Sequence, residues 1–317
     1  MPVDVEARRR LTAALLGAEA ALPPDQLTDR AARGRLIGVS EQTLHLATPA
    51  GEESFPFTGT TSFWRGGDAA PNELHPGDDV VLRYAADGSR VAEQVWAQMA
   101  RVTGVISSSH EETVQVDIGH DRPSATVVIP YRVSGRMRVR HPVLEPGYLF
   151  DAIGVWRDGE VHAVLPATTQ PPYSVRQAPR RPLAYERRSQ VSGMVSWYDP
   201  ALGHATDVNP LARLVGAAYP ALDSASDCGD GCERRQSCLP LPLMSLGTTF
   251  SLRNDYTGDT AVLPIVACGA ASAHFCDRCA AGAPGERGRL AQLTLLSFVG
   301  LGGTPTAGCF NATMRVG

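Results

Sequence analysis

The residues best suited to chemistry are seven cysteines: Cys228, Cys232, Cys238, Cys268, Cys276, Cys279 and Cys309. The first 227 residues of this 317-residue chain contain none. Two chemistries compete for such a cluster. In an oxidising compartment it forms three disulfides with one thiol left over, in any of fifteen pairings for a given six. Otherwise four thiolates hold a structural zinc ion, with Cys276-x2-Cys279 as half of the site. The spacing favours disulfides. Cys228 and Cys232 are separated by three residues, so the paired C-x2-C pattern of zinc ribbons is missing. The stretch Asp227 to Ser237 is rich in Gly, Asp and Arg and short of apolar residues, so it needs a covalent staple. A redox-active Cys276–Cys279 pair lacks the βαβ context of thioredoxin-like sites. The expectation is therefore no metal, no cofactor and an extracytoplasmic location, with structural zinc as the alternative.

The absence of lysine removes other chemistries. All 29 basic Lys/Arg positions are arginine, so Schiff-base catalysis and lysine-dependent phosphate loops are excluded. The formal net charge of -4 gives no support for nucleic-acid binding. No apolar run reaches the length of a membrane-spanning helix. Residues 3–21 read as an amphipathic helix ending before Pro23-Pro24, because Asp4, Glu6 and Glu19 break the pattern of a signal peptide.

The elements that must position the cysteines are mostly strands. Residues 33–165 contain two copies of one pattern: three strands, L-x-P-G, a strand, D-G, a strand. The turns are Leu74 to Gly77 with Asp87-Gly88, and Leu144 to Gly147 with Asp158-Gly159. Period-two apolar alternation between such turns predicts hairpins, and five strands per copy predict small oligonucleotide/oligosaccharide-binding-type barrels over 33–99 and 100–165, following a helical segment over 1–32. Trp64, Trp96 and Trp156 are the aromatic candidates for a binding face, with core packing as the competing reading. Pro166, Pro171, Pro172, Pro179 and Pro182 then suggest a semi-rigid Pro/Arg-rich linker over 166–187.

Residues 188–317 carry S-W-Y-D-P at 196–200, Gly203 to Thr206, Ala217 to Pro220, the L-G-T turn at 246–248, a strand at Ala261 to Cys268, a helix-like segment at Arg289 to Val299 and a final strand ending at Val316. In that order these pieces resemble the rare-lipoprotein-A-like double-psi β-barrel, whose relatives include lytic transglycosylases, expansins and barwin-like proteins. The resemblance covers about 120 residues. It implies a six-stranded barrel with a polysaccharide groove and, in lytic members, carboxylic acids that protonate the glycosidic oxygen. Barwin-like relatives also use disulfides.

This chain departs from the family at the acid positions. The acids fall near Ala267-Cys268-Gly269, where this chain has Ala267, near Pro210 and at Gln292, and the family's histidine falls at Tyr219. Asp207 and Asp277 remain as candidate catalytic acids. Trp197, Tyr198, Asp199, His204 and Tyr219 are the candidate glycan contacts, the aromatic pair serving as a stacking platform; His274 flanks the groove. The fold expected is mainly β: a short N-terminal helix, two tandem small β-barrels and a six-stranded double-psi barrel. The function expected is contact with peptidoglycan or another wall polysaccharide through a non-catalytic barrel. Residues 1–165 are available for self-association or assembly. A structural subunit of a phage tail or surface filament, and a lytic transglycosylase with unusual acids, are the alternatives.

Overall fold

A computed structural model describes residues 27, 29–85, 89–119, 123–172, 174–177, 181–182, 190–199, 201–202, 215–223, 236–280 and 287–316. The helix read over 3–21 lies outside these residues. The first barrel contains β1 (Ala31–Ser40), β2 (Thr43–Thr48), β3 (Gly51–Trp64), β4 (Asp68–Ala69), β5 (Asp79–Tyr84) and β6 (Ala92–Ala97). Its ring runs β1-β2-β3-β6-β5 and back to β1, with β4 appended to β3. The second contains β7 (Met99–His110), β8 (Thr113–Asp117), β9 (Ala125–Val128), α1 (Tyr131–Arg140), β10 (Leu149–Arg157) and β11 (Glu160–Pro166), closed in the order β10-β11-β9-β8-β7. In both rings the third and last main strands pair in parallel, giving the same five-stranded Greek-key arrangement twice.

The repeat is also visible in detail. Gly77 and Gly147, each ending an L-x-P-G turn, have φ values of 93° and 87°, a conformation that favours glycine. Their N–H groups donate to Leu36 and Ile106 respectively. A bulge follows Leu36 in β1 and Ile106 in β7. Gly34 thus corresponds to Gly104, three residues into the second copy as it reads in sequence. At both sites a Cβ would strike backbone, 2.7 Å from the Ala47 carbonyl oxygen and 2.1 Å from that of Asp117. Asp158-Gly159 turns β10 into β11 with both residues at positive φ, as a tight hairpin requires. The sequence pattern did not reveal α1, whose Met137 is fully buried in the second barrel's core.

After β12 (Arg181–Pro182) the third barrel is built from β13 (Gln190–Tyr198), β14 (Ala217–Tyr219), β16 (Thr249–Asn254), β17 (Thr260–Cys268), β18 (Arg289–Thr294) and β19 (Cys309–Arg315); β15 (Gln236–Ser237) pairs with β12 outside it. The closed order is β13-β18-β14-β17-β16-β19. Two parallel pairs, β13 with β18 and β14 with β17, alternate with antiparallel ones, so the chain crosses the barrel twice, as a double-psi barrel does. The segment read as helical from Arg289 to Val299 is divided. Arg289–Thr294 is strand, buried at every position, and α2 (Leu295–Gly300) starts at Thr294, whose hydroxyl accepts the Ser297 N–H.

The first two barrels have cores of their own, and where they meet the third their side chains join its core. Trp64, Val81 and Trp96 of the first, Ile153 and Val155 of the second, and Val195, Phe298 and Phe310 of the third belong to a single contiguous buried cluster. Trp64 and Trp96 are therefore packing residues and present no binding face. The described part of the proline-rich segment differs from the expected solvated spacer, since Thr168 and Gln170 are buried against the third barrel.

Candidate functional site

Some of the residues singled out from sequence lie together. Tyr198 and Asp199 end β13, Cys268 and Gly269 end β17, and Gln292 lies in β18. All five line one small cleft. The register explains why: Ser196 pairs with Gln292, Ala218 lies beside both Gln292 and Ala267, and Tyr219 lies beside Cys268. Gly269 approaches β14 so closely that a Cβ would sit 2.9 Å from the Ala218 carbonyl oxygen. The cleft is roofed by the second barrel, which contributes Arg101, Thr103 and Ile118. The amide nitrogen of Gln292 is buried there without a hydrogen-bond partner among the described residues.

Asp199 is the carboxyl group at this cleft. Its Oδ1 accepts the Ala201 N–H at 2.9 Å, and its Oδ2 accepts the Trp156 indole N–H at 2.6 Å. Burial pushes its pKa above the ordinary carboxylate value, opposed by the charge of Arg33 and by these two hydrogen bonds. Arg33 belongs to the first barrel and pairs with Asp79. The three barrels therefore meet electrostatically at Asp199.

Behind the cleft runs a buried ion chain. Arg101 of β7 donates to both oxygens of Asp151 in β10, at 2.9 and 2.8 Å. Asp151 also accepts from Thr103 at 3.0 Å and from Arg289 of the third barrel at 2.6 Å. Arg289 in turn forks onto Asp277, at 3.1 and 2.7 Å. The side chains of Arg101, Asp151 and Arg289 are 0% exposed, so each charge depends on its partner. Burial alone would raise the Asp151 carboxyl, but Arg101 and Arg289 hold it down at about 2. Burial alone would likewise lower Arg289, yet Asp277 and Asp151 raise it. Arg101 also donates to the Gly308 carbonyl, next to Cys309.

The disulfides hold the third-barrel side of this chain. Cys238 is bonded to Cys276 and Cys279 to Cys309, with Cα separations of 5.3 and 5.7 Å. Cys268 is disulfide-bonded as well, and no described cysteine is free. Asp277 lies between Cys276 and Cys279, so two covalent anchors fix the loop that presents it. The same loop docks on the end of the second barrel. Thr168 donates to Asp277 at 2.6 Å, the Cys276 N–H donates to Gln170, and Thr169 donates to the Arg278 carbonyl. With both thiols of the C-x2-C pair spent in disulfides, the zinc alternative has no ligands there. Among the described residues no cluster of three or more His, Cys, Asp or Glu side chains could hold a metal.

The other residues singled out from sequence fall as follows. Trp197 is fully buried and its indole donates to the Pro305 carbonyl at 3.0 Å. Tyr219 is fully buried, its hydroxyl donates to the Pro242 carbonyl, and burial raises its pKa. Tyr198 is 7% exposed, and Asp277 is 3% exposed with both oxygens engaged. Asp207, His204, Cys228 and Cys232 lie outside the described residues. Sequence reading missed Arg101, Asp151, Arg289 and Thr168, and read Trp156 as a binding-face or core aromatic where its indole instead donates to Asp199. One signal was available: Asp151 interrupts the apolar run Leu149 to Ile153, and a charge inside a strand apolar on both faces needs a buried partner.

Compared with protein-family models and with curated proteins, the chain matches none.

Proposed function

We propose that this chain is an extracytoplasmic, non-catalytic component of the cell envelope that contacts a wall polysaccharide. In this reading its third barrel, of the rare-lipoprotein-A type, serves for docking and binding and has no hydrolytic role. The observation that carries the reading is the roofed cleft. The cleft is lined by Gln292 and by Cys268 and Gly269, which the resemblance sets at and beside two of the acid positions of lytic relatives, and it lies under Arg101 and Thr103 of the neighbouring barrel. Asp277 is tied to Arg289 and Thr168. Glycosidic cleavage needs a carboxylic acid within hydrogen-bond reach of the leaving oxygen, and an engaged carboxylate at 3% exposure does not meet that requirement. The disulfides support an oxidising location. No described helix is long and apolar enough to cross a membrane.

The test is incubation of the full chain with purified peptidoglycan. Co-sedimentation without release of anhydro-muropeptides is expected. Failure to co-sediment at low salt removes the polysaccharide contact, and product release removes the non-catalytic assignment. The apolar packing that joins the three barrels favours a second reading, a structural subunit of a virion tail or surface filament. Ordered assemblies of the purified chain under the electron microscope would support it over the first.

A further inference from the structure

Helix α1 (Tyr131–Arg140) carries four arginines, Arg132, Arg136, Arg138 and Arg140, and no acidic residue. All four are exposed, and none has an ion-pair or hydrogen-bond partner among the described residues. Arg138 and Arg140 suit the last turn, but the arginines bring the helix no salt bridge among the described residues and crowd one another along one side. Arg132, Arg136 and Arg140 follow at i, i+4, i+8, where like charges repel, and Arg132 sits in the first turn, where the helix dipole disfavours a cation. The helix has no side-chain N-cap bond, carries Gly135 at its middle, and buries only Met137. A locally unfavourable pattern without a folded-state return marks a surface kept for something else.

The outward ridge of α1 is apolar. Tyr131, Gly135 and Val139 follow at i, i+4, i+8 and so share one face, opposite Met137. Tyr131 is 84% exposed and Val139 75% exposed, and nothing lies within 4 Å of a Cβ built on Gly135. The arginine row lies along one side of this ridge and Arg138 along the other. An anionic polymer would need only the cations. Two large exposed apolar side chains between flanking arginines suit an interface that is negative at its surface and apolar just beneath.

We infer that α1 is a docking surface for an anionic lipid bilayer: Tyr131 and Val139 enter the headgroup–acyl boundary while the arginines meet lipid phosphates. This surface is independent of the cleft and of the polysaccharide reading.

The test is flotation of the full chain with vesicles of phosphatidylcholine alone or with about one third phosphatidylglycerol. Binding to the anionic vesicles only, weakened by salt, is the expected result. R132E/R136E/R140E is expected to lower the partition coefficient by about a hundredfold or more. Y131S/V139S keeps every charge and is expected to lower it by about tenfold. R132K/R136K/R140K keeps the charge and is expected to retain binding, and an unchanged melting temperature of R132E/R136E/R140E shows that its loss is not misfolding. Unchanged binding of Y131S/V139S, preferential binding to soluble polyphosphate, equal binding to neutral vesicles, or no binding would each overturn the inference.

Discussion

The indole N–H of Trp156 donates to Asp199 Oδ2 at 2.6 Å, fastening the end of strand β10 in the second barrel to the residue just after β13 in the third. Asp199 also feels Arg33 of the first barrel, so one carboxyl group reports on the docking of all three. Trp156→Phe keeps the apolar ring and deletes the donor. It is expected to cost about 1.5–3 kcal/mol at a pH where the carboxyl is ionised, the worth of a hydrogen bond to a charged group. The pKa of Asp199 is raised by burial, so its favourable protonation is fully present below the ordinary value of about 4 and is lost as pH rises. At low pH the carboxyl is neutral and the deletion is expected to cost only about 1 kcal/mol. Denaturant unfolding of both proteins at the two pH values measures this difference.

The buried ion chain predicts a second, larger effect. Asp151→Asn preserves shape but leaves Arg101 and Arg289 sharing only Asp277, and is expected to cost about 3–5 kcal/mol. Arg101→Met combined with Asp151→Leu removes one charge of each sign, and Arg289 keeps Asp277. That double variant is expected to recover most of the loss. Equal midpoints for the single variant and the unmodified chain in urea would refute a stabilising role for the chain.

Acid stability follows from the same group. Asp151 titrates at about 2 in the folded protein, below the ordinary aspartate value of about 3.9. Its contribution is therefore fully present above about pH 4 and is lost as pH falls towards 2. Thermal melting is expected to show no Asp151-dependent change between pH 7 and about 4, then to fall. In Asp151→Asn that portion of the acid limb should be absent.

Two disulfides close loops with sequence separations of 38 and 30 residues, each expected to contribute about 3–4 kcal/mol by restricting the unfolded chain. Because both anchor the loop carrying Asp277, C279S/C309S is expected to do more than lower stability. It should also increase protease cleavage at the Thr168–Gln170 contact, which a purely global effect would not concentrate there.

The close approach at Gly104 gives a local test. Gly104→Ala places a Cβ 2.1 Å from the Asp117 carbonyl oxygen and is expected to cost about 3 kcal/mol through backbone displacement. Gly59→Ala, where a Cβ meets nothing within 4 Å, is expected to stay within about 0.5 kcal/mol of the parent. Equal melting temperatures for the two variants would contradict the register of β7 on β8.

Short-range patterns by themselves determined the strands, the repeat and the turns. Alternation in Thr43 to Thr48 and Thr113 to Asp117, the L-x-P-G turns and Asp158-Gly159 are signals read within a few residues, because side-chain period and glycine φ are local properties. The order of motifs after residue 188 announced a six-stranded barrel. Helix α1 escaped because its outward ridge and arginines mask the single buried Met137, and Arg289–Thr294 read as helix because a strand buried on both faces has no alternation to display. Only the tertiary structure decided what the charged and aromatic residues do. Asp277 and Asp151 are distant in sequence, yet both meet Arg289 in a seam that excludes water. Trp197 and Tyr219 turn inward because barrel closure leaves them no outward face. Whether a carboxylate serves as an acid or as half of a buried ion pair depends on what the fold sets against it, and that partner lies beyond the reach of any local pattern.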